Sequence, residues 1–137
     1  MELKSRKRRI MGSADVAPVF RAILETENEV DQNKEHFWTM GLNTKNQIMY
    51  LELISLGLLD QTVVHPREVF RFAIMKGVKS IIICHNHPSG DPEPSEQDKS
   101  LTTRLVAAGE VLGIQVLDHV VVGDDGAYYS FREGGDM

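Results

Sequence analysis

His85, His87 and Asp98 have the residue types and the spacing to hold a metal ion. Two imidazoles stand two positions apart in His85-Asn86-His87-Pro88, and a carboxylate follows in Ser95-Glu96-Gln97-Asp98. Histidine nitrogen and aspartate oxygen are ordinary zinc donors. A catalytic zinc takes three protein ligands and keeps a further position for water. The apolar run just before the pair, Lys79-Ser80-Ile81-Ile82-Ile83-Cys84, predicts a short buried strand whose C-terminal end delivers both histidines. In extended backbone, residues i and i+2 point the same way, with α-carbons about 6.5–7 Å apart. The prolines and glycine of residues 88–94 reverse the chain, and Ser95 opens a helix with Asp98 in its first turn. There is a plainer reading of two of these residues. Ser95 is a good N-cap, and Ser95-x-x-Asp98 has the form of a capping box with a short acid at its third position. A cap accounts for Ser95 and Asp98 without any metal, but it leaves the paired histidines unexplained.

The rest of the chain must position these groups. Ser13 or Asp15 is expected to cap a first helix with Val16, Val19, Phe20, Ile23 and Leu24 at helical spacing. Residues 25–34 are polar and read as a connection. Residues 36–44 and 47–56 form a hairpin around the turn at 44–46, with one of Phe37 and Trp38 in the core. Residues 57–61 are a loop, and residues 62–65 a short extended piece. Pro66 starts a second helix, with Val69, Phe70, Ala73 and Ile74 on its apolar face and Gly77 at its end. After the strand at residues 80–84 and the histidine loop, Leu101, Leu105, Ala108 and Leu112 line a long helix that stops at Gly113. Residues 115–122 and 127–131 are strands around the turn at 123–126. The pattern is α/β: a mixed β-sheet with three helices.

With 137 residues, 42% of them hydrophobic, the chain can build one core and not two. No apolar run approaches the ~20 residues of a membrane span, and no signal-peptide core follows the basic start. Cys84 is the only cysteine, which excludes an intrachain disulfide and suits a reducing cytoplasm. It lies inside the apolar run and is read as a core thiol on the face opposite His85. Charge is uneven. The chain has 15 basic and 20 acidic residues; residues 1–9 hold five of the former (Lys4, Arg6, Lys7, Arg8 and Arg9) and one of the latter. That leaves 10 and 19, a formal −9, for the remainder. So acidic a body does not offer a broad nucleic-acid surface, which needs several phosphates neutralised.

The stretch His85-x-His87, seven residues, Ser95-x-x-Asp98 matches the metal motif of the JAMM (MPN-type) metallohydrolases. The longer string His-Asn-His-Pro-Ser-Gly-Asp-Pro-Glu-Pro-Ser resembles their RadC-like bacterial branch, the RadC JAB domain. The similarity extends over residues 12–133 and includes His65-Pro-Arg-Glu-Val-Phe70 and Leu117-Asp118-His119. It divides the chain into a basic flexible segment (1–11), the JAMM/MPN domain (12–133) and a tail (134–137). RadC-like chains usually carry a helical segment before this domain, so this chain is expected to be the isolated catalytic part. The resemblance implies a cytidine-deaminase-like α/β/α architecture, with the mixed sheet sandwiched by helices. It also implies one Zn²⁺ per chain on His85, His87 and Asp98.

Family members hydrolyse amide or isopeptide bonds, so the implied activity is a zinc metallopeptidase or isopeptidase acting on a peptide or protein substrate. Eukaryotic relatives cut ubiquitin-like tags, and bacterial ones act on sulfur-carrier or small peptide substrates. A hydrolytic zinc site needs a general base one water away from the metal. Glu35, at the entry to the first hairpin strand, matches the place of the family's catalytic glutamate. Glu68 is the rival, in a helix's first turn where acids are favoured anyway, and Asp91 and Glu93 can reach the metal or the substrate. Ser95 is assigned a hydrogen bond to the developing oxyanion. His119 is read as a buried, hydrogen-bonded histidine or as an outer partner of the site, and Asp118 as an acceptor for the free N–H of a metal-bound imidazole. His36 and His65 receive no role. Two histidines with one carboxylate also suit Fe(II); the helix-borne aspartate and the resemblance favour zinc. Two other classes stay open. One is a DNA-repair-associated nucleic-acid-binding or nuclease module, since RadC-like proteins traditionally carry that label. The other is a non-catalytic scaffold. The consecutive His-Asn-His is not an HNH nuclease signature, because those enzymes distribute the residues along a ββα hairpin.

Overall fold

A computed structural model describes residues 8–57 and 64–137. Its elements are α1 (Ser13–Glu25), α2 (Glu29–Gln32), β1 (His36–Leu42), β2 (Ile48–Leu56), α3 (Pro66–Lys76), β3 (Ser80–Asn86), α4 (Glu96–Leu112), β4 (Gln115–Val122) and β5 (Tyr128–Ser130). The strands form one sheet in the order β2-β1-β3-β4-β5. β3 and β4 run parallel and the other neighbours antiparallel, so the sheet is mixed and the class is α/β as expected. Parallel neighbours need a long crossover, and α4 supplies it. A βαβ unit of this kind sets the end of its first strand and the start of its helix at the same edge of the sheet. That edge carries the histidines and Asp98.

Every residue of β1 and of β3 is buried, because helices cover both faces of the sheet. On one face, Val16, Val19 and Phe20 of α1 meet Trp38, Met40, Ile82, Cys84 and Val120. On the other, Phe70 and Ala73 of α3 and Leu101 and Leu105 of α4 meet Phe37, Ile81, Ile83 and Val116. Phe37 and Trp38 are therefore both core residues, one for each layer, where the sequence alone suggested that one of them would be. A strand's period of two sorts its side chains between two hydrophobic layers when neither face is wet.

Several boundaries differ from the sequence reading for local reasons. Neither Ser13 nor Asp15 caps α1 from the N-cap position, which is Gly12. Asp15 instead accepts the Met11 N–H at 2.8 Å, and Ser13 donates to Glu133. The connection at residues 25–34 contains the single turn α2, capped by Asn28, whose side chain accepts the Asp31 N–H at 2.8 Å. The hairpin strands stop at Leu42 and resume at Ile48, because the Asn43 carboxamide accepts the N–H groups of Lys45 and Gln47 and holds the turn itself. β3 runs two residues beyond its expected end, so His85 lies within the ladder, opposite Phe37 on β1 and Val121 on β4. Ile10, in the segment read as a flexible start, is buried, and Arg9 forms a bridge with Gln47. Lys4, Arg6 and Lys7, and residues 58–63 of the expected loop and extended piece, lie outside the described residues. Among the described residues, no helix is long and apolar enough to cross a membrane.

α4 approaches its own return strand closely. A Cβ on Gly109 would lie 2.4 Å from the Ile114 carbonyl oxygen, which is backbone and cannot swing away. Alanine in place of a mid-helix glycine normally stabilises by up to about 1 kcal/mol. Gly109→Ala is expected to destabilise instead, by about 1–3 kcal/mol. Urea unfolding curves of the two proteins decide between these opposite signs.

Candidate metal centre

His85 is the penultimate residue of β3, His87 follows it by two residues, and Asp98 sits one turn into α4 with only 8% of its surface exposed. The His85 and His87 Nε2 atoms are 3.0 Å apart. His85 Nε2 lies 3.4 Å from Asp98 Oδ1, and His87 Nε2 lies 3.1 Å from Asp98 Oδ2. Three donors bound at about 2.0–2.1 Å to a tetrahedral zinc stand roughly 3.3 Å from one another; at an octahedral ion the separation is about 3.0 Å. The closest approaches fall in this range but use different Asp98 oxygens; with one ligand atom from each residue, the three lie within 4.8 Å of one another. Among the described residues these three form the group of histidine, cysteine and acidic side chains that could hold a metal ion. Cys84, buried in the α1-side core, points away from it.

Each donor is oriented by a contact elsewhere. Asp98 and Ser95 form a complete capping box: Ser95 Oγ accepts the Asp98 N–H at 3.0 Å, and Asp98 Oδ2 accepts the Ser95 N–H at 2.9 Å. Cap and ligand are therefore not alternatives. The cap occupies Oδ2 and aims Oδ1 at His85. His87 Nδ1 lies 2.9 Å from the Asp91 carbonyl oxygen. A carbonyl can only accept, so Nδ1 carries the hydrogen and Nε2 offers its lone pair to the site. The His87 N–H donates to the Val122 carbonyl at 3.0 Å, which prolongs the β3–β4 ladder by one bond. Gly90, at φ 90°, lets the loop pass against the next turn, where its carbonyl accepts the Asp124 N–H at 3.0 Å. A Cβ there would lie 2.3 Å from Asp124 Oδ2.

The outer partner of His85 is His119, whose Nε2 lies 2.6 Å from His85 Nδ1. The role expected of Asp118 is not the one it has. Its carboxylate accepts the His119 N–H at 2.8 Å, the Ser130 hydroxyl at 2.6 Å and the Arg132 N–H at 3.1 Å, and so ties β4 to the C-terminal turn. On a strand the side chains of neighbouring residues point to opposite faces, so only His119 can reach the ring of His85. Thr102 is a residue the sequence reading missed: its Oγ lies 2.5 Å from His119 Nδ1 and 2.8 Å from the Asp98 carbonyl oxygen. Its position, one helical turn after Asp98 on the same face, was the available signal.

Glu35 is half-buried and immediately precedes β1. Its neighbours are clamped by Asn86, whose Oδ1 accepts the His36 N–H at 2.6 Å and whose Nδ2 donates to the Lys34 carbonyl at 3.0 Å. The Glu35 carbonyl accepts the Gly57 N–H at 2.8 Å. Its carboxylate is close enough for its charge to act on His87. Glu68 is held elsewhere, 3.7 Å from Arg71 on α3. Asp91 and Glu93 are exposed, and Asp91 Oδ1 accepts the Glu93 N–H at 3.0 Å within the loop. His65 caps α3 by accepting the Arg67 N–H, and His36 donates to the Lys34 carbonyl.

The electrostatics match a compact cluster. Burial would push the Asp98 carboxyl up, but its close contacts with the His85 and His87 imidazoles outweigh it and hold the group far below the usual carboxylate range. The hydrogen bond to Asp98 raises His87 above the ordinary imidazole value against the effect of burial, with the Asp91 carbonyl and the charge of Glu35 adding to it. Burial pushes His119 far down.

A mixed α/β domain with two strand-end histidines and a helix-capping aspartate converging at one edge of the sheet is the arrangement of a JAB-type domain. The profile of the RadC-like JAB domain family matches residues 10–136, and the chain belongs to that family. It is 53% identical over 102 residues to a UPF0758 protein of Desulforamulus reducens, a match covering 74% of this chain and 45% of the relative. A UPF0758 protein of Caldanaerobacter subterraneus subsp. tengcongensis is 55% identical over 103 residues, covering 75% and 44%. One from Methanococcoides burtonii is 46% identical over 129 residues, covering 94% and 54%. The chain thus spans about half the length of these relatives.

Metal should be held at one ion per chain and be lost in Asp98→Ala, as measured by elemental analysis after gel filtration. That substitution also removes half of the capping box, at a cost to the helix on the order of 1 kcal/mol, so the variant should stay folded by circular dichroism. A proton on the raised His87 competes directly with metal. Affinity should therefore fall as pH drops through a value above 6.5, by about tenfold per pH unit for each proton displaced.

Proposed function

We propose that this domain is a zinc-dependent hydrolase of peptide or isopeptide bonds. The observation that carries the reading is the convergence of His85, His87 and Asp98, one ligand atom of each within 4.8 Å of the others, with Asn86 between the two histidines bonded to the backbone on either side of Glu35. A bound zinc ion supplies Lewis acidity, so that water at the site ionises near neutral pH. Glu35 accepts that proton and returns it to the leaving amine. It is the glutamate whose flanking backbone is held by Asn86, the residue between the two histidines, whereas Glu68 lies on α3 in an exposed pair with Arg71. Ser95 spends an oxygen lone pair on the Asp98 N–H, and its O–H hydrogen serves the carbonyl oxygen as negative charge develops there. Loss of such a donor costs on the order of 3–4 kcal/mol in the transition state. The capping box, the Asp91 carbonyl and His119 hold the ligands in register before substrate arrives, which is where preorganised electrostatic catalysis gains its advantage over water.

Acidic side chains flank the site: Asp91 and Glu93 in the loop, and Asp124 against Gly90. A phosphate backbone would meet like charge there, which favours a peptide over a nucleic acid as the substrate class. The complete donor set favours a hydrolase over a non-catalytic scaffold. Glu35→Gln is expected to retain zinc while hydrolysis of peptide- and isopeptide-linked fluorogenic substrates falls about 10²–10⁴-fold. Unchanged turnover would remove Glu35 from the mechanism. Wild-type protein that is fully zinc-loaded and inert on the whole panel would favour the scaffold.

A further inference from the structure

We infer that Thr102 and His119, neither of them a ligand, are positioning residues that set which nitrogen of His85 faces the metal. The inference rests on the metal-site reading above, and it comes from following hydrogens along a buried chain of four groups. Thr102 Oγ lies 2.8 Å from the Asp98 carbonyl oxygen and 2.5 Å from His119 Nδ1. A carbonyl has no hydrogen to give, so the Thr102 hydroxyl donates to it and Oγ is left as an acceptor. His119 must then carry its hydrogen on Nδ1. Neutral imidazole has one hydrogen, so His119 Nε2 presents a lone pair to His85 Nδ1, 2.6 Å away. His85 answers with Nδ1–H, and its Nε2 lone pair is left directed at His87 and Asp98.

The opposite direction is disfavoured at its first step. If Thr102 donated to His119, oxygen lone pairs of Thr102 and Asp98 would face each other at 2.8 Å. His85 would then carry its hydrogen on Nε2, where the metal belongs. The His119 ring has little freedom to escape the arrangement. Phe131 stacks on it at 4.5 Å with planes 9° apart, and Phe37 meets it edge-on at 6.0 Å. His85, His119 and Thr102 are all buried, so no solvent competes for these bonds. The chain also closes on itself through the fold, because it starts on the backbone of one ligand and ends on the side chain of another. His87 has its own device, the Asp91 carbonyl.

Thr102→Val keeps the shape of the side chain and removes the hydroxyl. Thr102→Ser keeps the hydroxyl. In the valine variant nothing obliges His119 to hold its hydrogen on Nδ1, and zinc affinity measured by chelator competition should fall about 10–100-fold. The serine variant should remain within about threefold of wild type. Nitrogen-15 NMR of the imidazoles reads the tautomer directly, without zinc or substrate. His119 should be Nδ1–H in the metal-free wild type and in the serine variant, and should shift towards Nε2–H in the valine variant. Wild-type zinc affinity in Thr102→Val, or an Nε2–H His119 in the wild type, would overturn the inference. If wild-type protein binds no zinc at all, the metal-site reading is the part that fails; the tautomer of His119 still judges the relay.

Discussion

Parallel neighbouring strands cannot be joined by a tight turn, and that constraint governs the arrangement of this molecule. Among the described residues β3 and β4 are the one parallel pair, so the chain must leave the end of β3, cross over as α4 and return. The crossover sets the C-terminal end of β3 beside the N-terminal turn of α4. Two histidines placed where the strand ends and an acid placed where the helix begins must then come together. The site is a consequence of the topology as much as of the side chains in it, and it lies where open α/β sheets generally bind their ligands, beyond the carboxyl ends of the strands.

Convergence alone would leave the donors free to rotate, and the surroundings remove that freedom. The capping box that begins α4 is a local device for satisfying helix N–H groups. Here one of its two bonds, from the Ser95 N–H to Asp98 Oδ2, also holds the carboxylate of a ligand. The Asp91 carbonyl fixes one imidazole and the buried His119 meets the other. A buried polar group must find a partner or cost the fold free energy. In this cluster the partners that satisfy the burial requirement are also the ones that orient the donors. Stability and chemistry ask for the same hydrogen bonds, and the site carries no visible conflict between them.

How much of this was legible from sequence follows from the distances over which each signal acts. The histidine pair, the cap at Ser95 and Asp98, the stop of α4 at Gly113 and the apolar faces of the three long helices, apart from Ile74 and Leu112, which are exposed, are local patterns, and the structure has them. The class of the fold was legible through the β3–α4–β4 alternation. What was not legible depends on contacts between distant segments. Both Phe37 and Trp38 are core because helices cover both faces of the sheet, and no single strand reveals that. The sequence offers both Asp118 and His119 as outer partners, Asp118 because carboxylates commonly accept an imidazole N–H. Strand register instead turns Asp118 towards Ser130 and gives the place to His119. α2 was missed because one turn of helix, capped by Asn28, leaves too short a pattern to detect.

Asn86 shows how the residue between the two ligands serves the group opposite them. The β1–β3 ladder ends at Phe37 and His85, so one residue further on the backbone no longer pairs. The Asn86 carboxamide takes over, accepting the His36 N–H and donating to the Lys34 carbonyl. Those two groups bracket Glu35, one on either side. An amide is suited to this because it offers an acceptor and a donor on one planar branch. Aspartate there would set a carboxylate oxygen against the Lys34 carbonyl, and serine is too short to span both. The same dipeptide step that presents His85 and His87 to a metal thus turns Asn86 across the sheet to hold the backbone of the proposed base. The separation between Glu35 and the ligands is therefore set by one strand end rather than by the loop that precedes β1.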